Sequence, residues 1–248
     1  MKSDFGHPRV IVTETRDWPE QAALHFLTTA RDAVAHRGAF HVVVPGGSTP
    51  RQAFAHVVAH AGANDPCWER THLYFGDERL VAPDHPDSNF RMIREALLDQ
   101  APIPAEQVHR IPGELEAEEA ARRYAGVVGS FLRSDVPQGN VFDLVILGLG
   151  PDGHVASLIP GGQLDFVAEG LVGVGSAPMS PAQVRRVTLT PTTLRSCREL
   201  VLWVRGGEKA GAVQGALRGG MPTMVPEVVP PDGRVTWILD RAAAAALG

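Results

Sequence analysis

At 248 residues and 44% hydrophobic, the chain can bury a sizeable core, as one large domain or two small ones. A formal net charge of −5 with scattered basic residues gives no draw towards nucleic acid or anionic lipid, although a local cluster of Arg and Lys can still hold a small anion. Cys67 and Cys197 lack metal-ligand or disulfide-framework spacing, and neither a signal-peptide start nor a membrane-length apolar run occurs, so a cytoplasmic protein without membrane association is expected.

Apolar residues at helical spacing (Leu24, Leu27, Ala30, Val34) predict a first helix from about Trp18 to His36. FHVVV (40–44) reads as a buried strand, and a helix opens near Pro50, since proline is tolerated where helical N–H groups are unpaired. THLYF (71–75) is the next strand and NFRMIREALL (89–98) the next helix, followed by a short strand VHRI (108–111) and a charged helix from Glu114 to Leu132. FDLVIL (142–147) is the most apolar strand. The stretch 160–185, rich in Gly, Pro, Ser and Ala, reads as loop; RVTLT (186–190) is a strand leading through Pro191 into a short helix. ELVLWV (199–204), a helix from about Glu208 to Leu217, VTWIL (235–239) and a last helix capped by Asp240 complete the chain.

Alternation of short β-branched runs with longer amphipathic segments predicts an α/β fold of Rossmann-like, three-layer type: a mostly parallel sheet flanked by helices on both faces, in a single domain over residues 1–248. Ligands of such sheets collect at the carboxyl ends of the strands, so the residues there carry the functional reading. After FHVVV comes PGGSTP: Gly46 and Gly47 let the backbone approach a ligand, Ser48 and Thr49 offer hydroxyls, and the helix N-terminus favours an anion. After THLYF comes GDERLVAPDHPDSN. Asp77 and Glu78 cannot easily face one pocket, so one acid and Arg79 are expected inward and the other acid in a structural bond, with Ser88 and Asn89 capping the next helix. After FDLVIL comes GLGPDGHVASLIPG. Its GLGPDG matches the dinucleotide G-x-G-x-x-G, but Pro151 falls where that motif starts its helix and Glu169 ends no apolar strand, so a dinucleotide site is rejected. Asp152 suits a tight turn; His154, at the end of a central strand, is the candidate base. Arg185 or Arg186 and Lys209 supply cations able to neutralise a phosphate.

Taken together, PGGSTP, GDERLVAPDHPDSN, GLGPDGHVASLIPG, RVTLT and GGEK resemble, in this order and nearly end to end, the 6-phosphogluconolactonase family of the sugar-phosphate isomerase and deaminase superfamily. Ile159 stands where phenylalanine is common, and Met179 where many relatives carry lysine. The resemblance implies hydrolysis of 6-phospho-D-glucono-1,5-lactone without metal or organic cofactor, with His154 as base and Arg79 beside the reacting carbonyl. It also implies that Gly46, Gly47, Ser48, Thr49, Arg186 and Lys209 hold the phosphate. Asp77 or Asp152 would orient the imidazole. The partner implied is a small sugar-phosphate lactone, with the chain a monomer or weak homodimer. Two alternatives differ in kind. A glucosamine-6-phosphate deaminase would resemble G-H-I-A-F-N-E-P-G, but Ile159 occupies the glutamate position and cannot take a proton. A sugar-phosphate-sensing regulator would not need His154 and would normally bring a helix-turn-helix, for which no basic helix precedes residue 18.

Overall fold

The computed structural model describes residues 8–133, 141–167, 170–176 and 185–248. Eleven strands occur among them: β1 (Arg9–Thr13), β2 (Phe40–Val44), β3 (Thr71–Phe75), β4 (Asp77–Arg79), β5 (Val108–His109), β6 (Leu144–Leu147), β7 (Asp165–Val167), β8 (Val172–Ser176), β9 (Arg185–Leu189), β10 (Glu199–Val204) and β11 (Arg234–Asp240). The α-helices are α1 (Trp18–Arg37), α2 (Ser48–Ala61), α3 (Asn89–Ile93), α4 (Ala117–Leu132), α5 (Pro191–Leu194), α6 (Ala210–Arg218) and α7 (Val225–Val228).

Seven strands form an all-parallel sheet in the order β1-β11-β10-β6-β2-β3-β5. Successive strand residues point to opposite faces, and β2 shows what each face meets. Phe40 packs edge-on to Phe26 of α1, ring centroids 5.4 Å apart, whereas its neighbour His41 stacks on Phe131 of α4 at 4.2 Å. Helices therefore cover both sides, which is why β2, β3, β6 and β10 read as nearly continuous apolar runs. On the α1 and α2 side the core closes through Trp18, Phe54 and Trp203, all fully buried. On the other side the buried hydroxyl of Tyr124 donates to the carbonyl of Phe75 at 2.7 Å and accepts its N–H at 2.9 Å, fastening α4 to the end of β3.

Strand order reverses between β2 and β6, since one run of the chain builds outward to β3 and β5 and the other to β10 and β11. A crevice at the carboxyl ends of those two strands is the favoured ligand position in such a sheet.

Two expectations are corrected, and one expected strand falls in a second sheet. The stretch 160–185, expected as loop, contains β7 and β8, which pair antiparallel; residues 168–169 and 177–184, with Met179, lie outside the described residues. Glycines hid the strand signal: Gly173 and Gly175 alternate with buried Val172 and Val174, and Leu164 packs where their side chains would stand. The RVTLT strand, β9, belongs to a second, antiparallel sheet, β4-β9-β8-β7, rather than to the parallel one. Gly76 joins the two sheets: its N–H donates to Val44 of the first at 3.0 Å and its carbonyl accepts from Leu189 of the second at 2.8 Å. The last helix is absent as an α-helix. Asp240 does accept the Ala243 N–H at 2.8 Å, but only Ala243 of the alanine run is buried, so turns and a short 3-10 segment, Ala245–Leu247, follow. Smaller differences concern α3, which continues through a π-helical turn over Arg94–Leu98, and β1, which precedes the first element expected from the sequence.

Near the amino ends of β2 and β3, and on β5 beside them, His41, His72 and His109 stack in a row, centroids 4.5 and 5.5 Å apart. Burial and the neighbouring imidazoles lower His41 from 6.5 to about 4, and burial with His72 lowers His109 to about 4. Both rings titrate lower in the folded chain, so between pH 6.5 and about 4 the unfolded chain binds more protons. Stability is lost as pH falls through that window and no further below it. Urea unfolding at pH 7, 5.5 and 4.5 is expected to show the loss, and His109→Gln is expected to shrink the difference between pH 7 and 4.5. An unchanged difference contradicts this account of the stack.

Candidate functional site

The crevice at the β2–β6 switch is a cleft of about 210 Å³ whose walls are the strand ends singled out above. The first wall is the turn between β2 and α2. Gly47 has φ 100°, a backbone that side chains rarely adopt, and a Cβ at Gly46 would lie 1.8 Å from Oδ1 of Asn89. This close approach aims the turn and the first residues of α2, Ser48 and Thr49, into the cleft. The first amides of a helix lack intrahelical acceptors, so this wall is suited to an anion.

The second wall comes from β4 and β9. Glu78 turns away, accepting from the amides of Arg79, Asn89 and Phe90 and from Ser88 Oγ, so it is the acid in the structural bond. Burial raises its pKa, against those amide bonds. Asp77 and Arg79 line the cleft, as does Arg186. Arg79 and Arg186 are direct cross-strand partners, an arrangement of like charges that is unfavourable by itself. Arg79 is held by Asn89 Oδ1 and by the carbonyl of Asp87 at 3.0 Å; Arg186 reaches Asp77 Oδ2 at 3.5 Å, and its buried Nε has no partner among the described residues. Burial lowers the pKa of Arg186. A bound anion would offset the repulsion and satisfy the idle donor.

The third wall is the bend after β6. Nδ1 of His154 lies 2.5 Å from Oδ1 of Asp152. Burial opposes ionisation of Asp152, but its hydrogen bonds from His154 outweigh it and hold its carboxyl below the usual value. An ionised carboxylate only accepts, so Nδ1 carries the proton and Nε2 presents a lone pair. Which acid partners the imidazole, left open by the sequence, is thereby answered: Asp152, standing behind His154 rather than in the cleft wall. Asp77 instead accepts Ser157 Oγ at 2.6 Å. Ser157 reaches it from a tight reversal in which Val155 and Leu158 exchange both backbone bonds and Ala156 takes φ 49°, a left-handed conformation uncommon for a side-chain-bearing residue.

Lys209, in a short 3-10 turn after β10, closes the cleft together with Arg205. Nine of the ten site residues expected from the sequence thus line one cleft, and the tenth, Asp152, supports His154. Sequence reasoning missed Ser157, Arg205 and the full part of Asn89, whose carboxamide joins Arg79, Asp77 and the Gly46 turn. The D-x-S-N spacing was the available signal for Asn89, and helix capping explained it too readily. Ser88 does cap α3, accepting from the Arg91 amide at 3.2 Å. Ile159 lines a neighbouring groove rather than this cleft.

A sequence profile described as glucosamine-6-phosphate isomerases/6-phosphogluconolactonase matches residues 14–237. A 6-phosphogluconolactonase of Synechocystis is 34% identical over 230 residues, covering 90% of this chain and 91% of its own length. A solved 6-phosphogluconolactonase from Thermotoga maritima, 29% identical, superposes with a TM-score of 0.81 over 94% of this chain and 100% of its own. The 6-phosphogluconolactonase of Trypanosoma brucei, 27% identical, gives 0.81 over 98% and 99%. A monomeric glucosamine-6-phosphate deaminase, 20% identical with a TM-score of 0.77 over 96% and 99%, shares the fold. The chain belongs to the family of glucosamine-6-phosphate isomerases and 6-phosphogluconolactonases.

Proposed function

We propose that the chain hydrolyses 6-phospho-D-glucono-1,5-lactone to 6-phospho-D-gluconate, the lactone-opening step of the oxidative pentose phosphate pathway. The observation that carries the reading is His154: its Nδ1 is engaged by Asp152, leaving Nε2 as acceptor in a cleft that also holds a turn suited to an anion and four arginines or lysines, Arg79, Arg186, Arg205 and Lys209. Nε2 takes a proton from water as its oxygen attacks the lactone carbonyl carbon. Negative charge collects on the carbonyl oxygen, where Arg79 stabilises it; a donor in such a position is worth about 3–4 kcal/mol. Collapse breaks the bond to the ring oxygen, which takes the proton back from the imidazolium, leaving the free acid to ionise. The phosphate does not react. Held by Gly46, Gly47, Ser48, Thr49, Arg186 and Lys209, it fixes the carbonyl against His154, so binding energy remote from the reacting bond goes into orientation.

The deaminase reading lacks its proton-transferring carboxylate, since Ile159 takes that position and faces another groove. Purified chain is expected to open freshly made 6-phosphogluconolactone well above its spontaneous rate, in the presence of a chelator as in its absence, and to release no ammonia from glucosamine 6-phosphate. Lactone opening at the spontaneous rate refutes the proposal, and ammonia release favours the deaminase.

A further inference from the structure

Arg205 follows β10 and lines the cleft beside Ser48, Thr49 and Lys209. Its guanidinium is held on three sides. NH1 donates to Gln52 Oε1, NH2 donates to the carbonyl of Thr15 at 3.3 Å, and the planar group lies 5.3 Å from the ring centre of Trp18. Gln52 stands four residues after Ser48 in α2 and therefore on the same helix face, and helical side chains lean towards the N-terminus. The bond to Gln52 accordingly draws the guanidinium alongside the first turn of α2, where unpaired amides already favour an anion.

All three of these partners are neutral, and Arg205 makes no ion pair among the described residues. Arg186, by contrast, shares its charge with Asp77. Of the five N–H donors of Arg205, two are used, and the buried Nε has no partner among the described residues. A planar fork with idle donors, stacked on Trp18 and held by neutral partners, is suited to phosphate oxygens. A guanidinium serving only as a strut between α2 and the segment before α1 would give the same three contacts, but it would not discriminate between ligands with and without a phosphate.

We propose that Arg205 is a specificity-determining cation of this cleft, gripping the substrate phosphate with Lys209 and selecting phosphorylated over unphosphorylated sugar acids and lactones. This rests on the reading that the α2 end of the cleft takes the phosphate. Calorimetric titration of 6-phosphogluconate and of gluconate into the wild type, Arg205→Met and Arg205→Lys tests it. The methionine keeps an unbranched stem against Trp18, and thermal midpoints report whether each variant is folded. Arg205→Met is expected to weaken 6-phosphogluconate binding by about 10- to 100-fold, the effect of losing a charge-assisted bond, and gluconate binding by less than about two-fold. Arg205→Lys is expected to recover part of the loss, keeping charge without the fork. Equal weakening of both ligands identifies a strut and overturns the proposal, as does unchanged 6-phosphogluconate affinity. A wild type that binds the two ligands equally well overturns the phosphate reading of the cleft itself, and the assignment of Arg205 with it.

Discussion

His154→Ala is expected to lower kcat for 6-phosphogluconolactone by about 10²–10⁴-fold, the usual contribution of a positioned acid/base, while 6-phosphogluconate still binds within a few-fold of the wild-type affinity. The two halves of this expectation follow from where the residue stands. The His154 side chain is 38% exposed at the cleft wall, held by Asp152, and outside the apolar core, so its loss leaves the fold and the turn at 46–49 in place. What disappears is the acceptor for the proton that attacking water must shed. Stopped-flow or base-titrated hydrolysis measures the first half, with spontaneous opening subtracted, and calorimetry the second. Turnover equal to wild type removes His154 from the chemistry.

Gly150→Ala is expected to cost about 10²-fold in kcat by displacing the catalytic imidazole rather than removing it. A Cβ at this position would lie 2.0 Å from Nδ1 of His154 and 2.5 Å from Oδ1 of Asp152, so the hydrogen-bonded pair must move. Gly150 has no left-handed φ, so alanine is compatible with the backbone and displacement of the pair is the main consequence. Displacing a catalytic group by about 1 Å commonly costs on the order of 10²-fold. The sharper form is a double-mutant cycle. Once His154 is alanine the imidazole is no longer there to displace, and Gly150→Ala is expected to cost almost nothing further. Independent, multiplying effects would mean that Gly150 acts through something other than the imidazole.

Much of the cleft was legible because its residues follow buried strands directly. FHVVV, THLYF, FDLVIL and ELVLWV are apolar enough to mark central strands, and the polar turns after them converge wherever parallel strands share a sheet. The choice between Asp77 and Asp152 was not legible, because it depends on Ser157 swinging across to occupy Asp77 through the Ala156 turn. Nor was the second sheet. Its strands are short, β8 carries glycines on alternate positions, and β4 is made of three charged residues, DER, that resemble a solvated turn until β9 pairs with them. That pairing places Arg79 against Arg186, a contact between residues more than a hundred positions apart that periodicity cannot reveal. Arg205 escaped notice for a related reason: its meaning comes from Gln52, Thr15 and Trp18, none of them near it in the chain.

The orientation of ligand in the cleft is the claim on which the chemistry stands, and a crystal structure of the chain with 6-phosphogluconate bound tests it most directly. The phosphate is predicted to lie against the amides of Gly46 to Thr49 with Arg186 and Lys209, and the C1 carboxylate at the opposite end of the cleft, beside His154 and Arg79. A product lying the other way round, with its phosphate at the imidazole, or binding outside this cleft, would contradict the account.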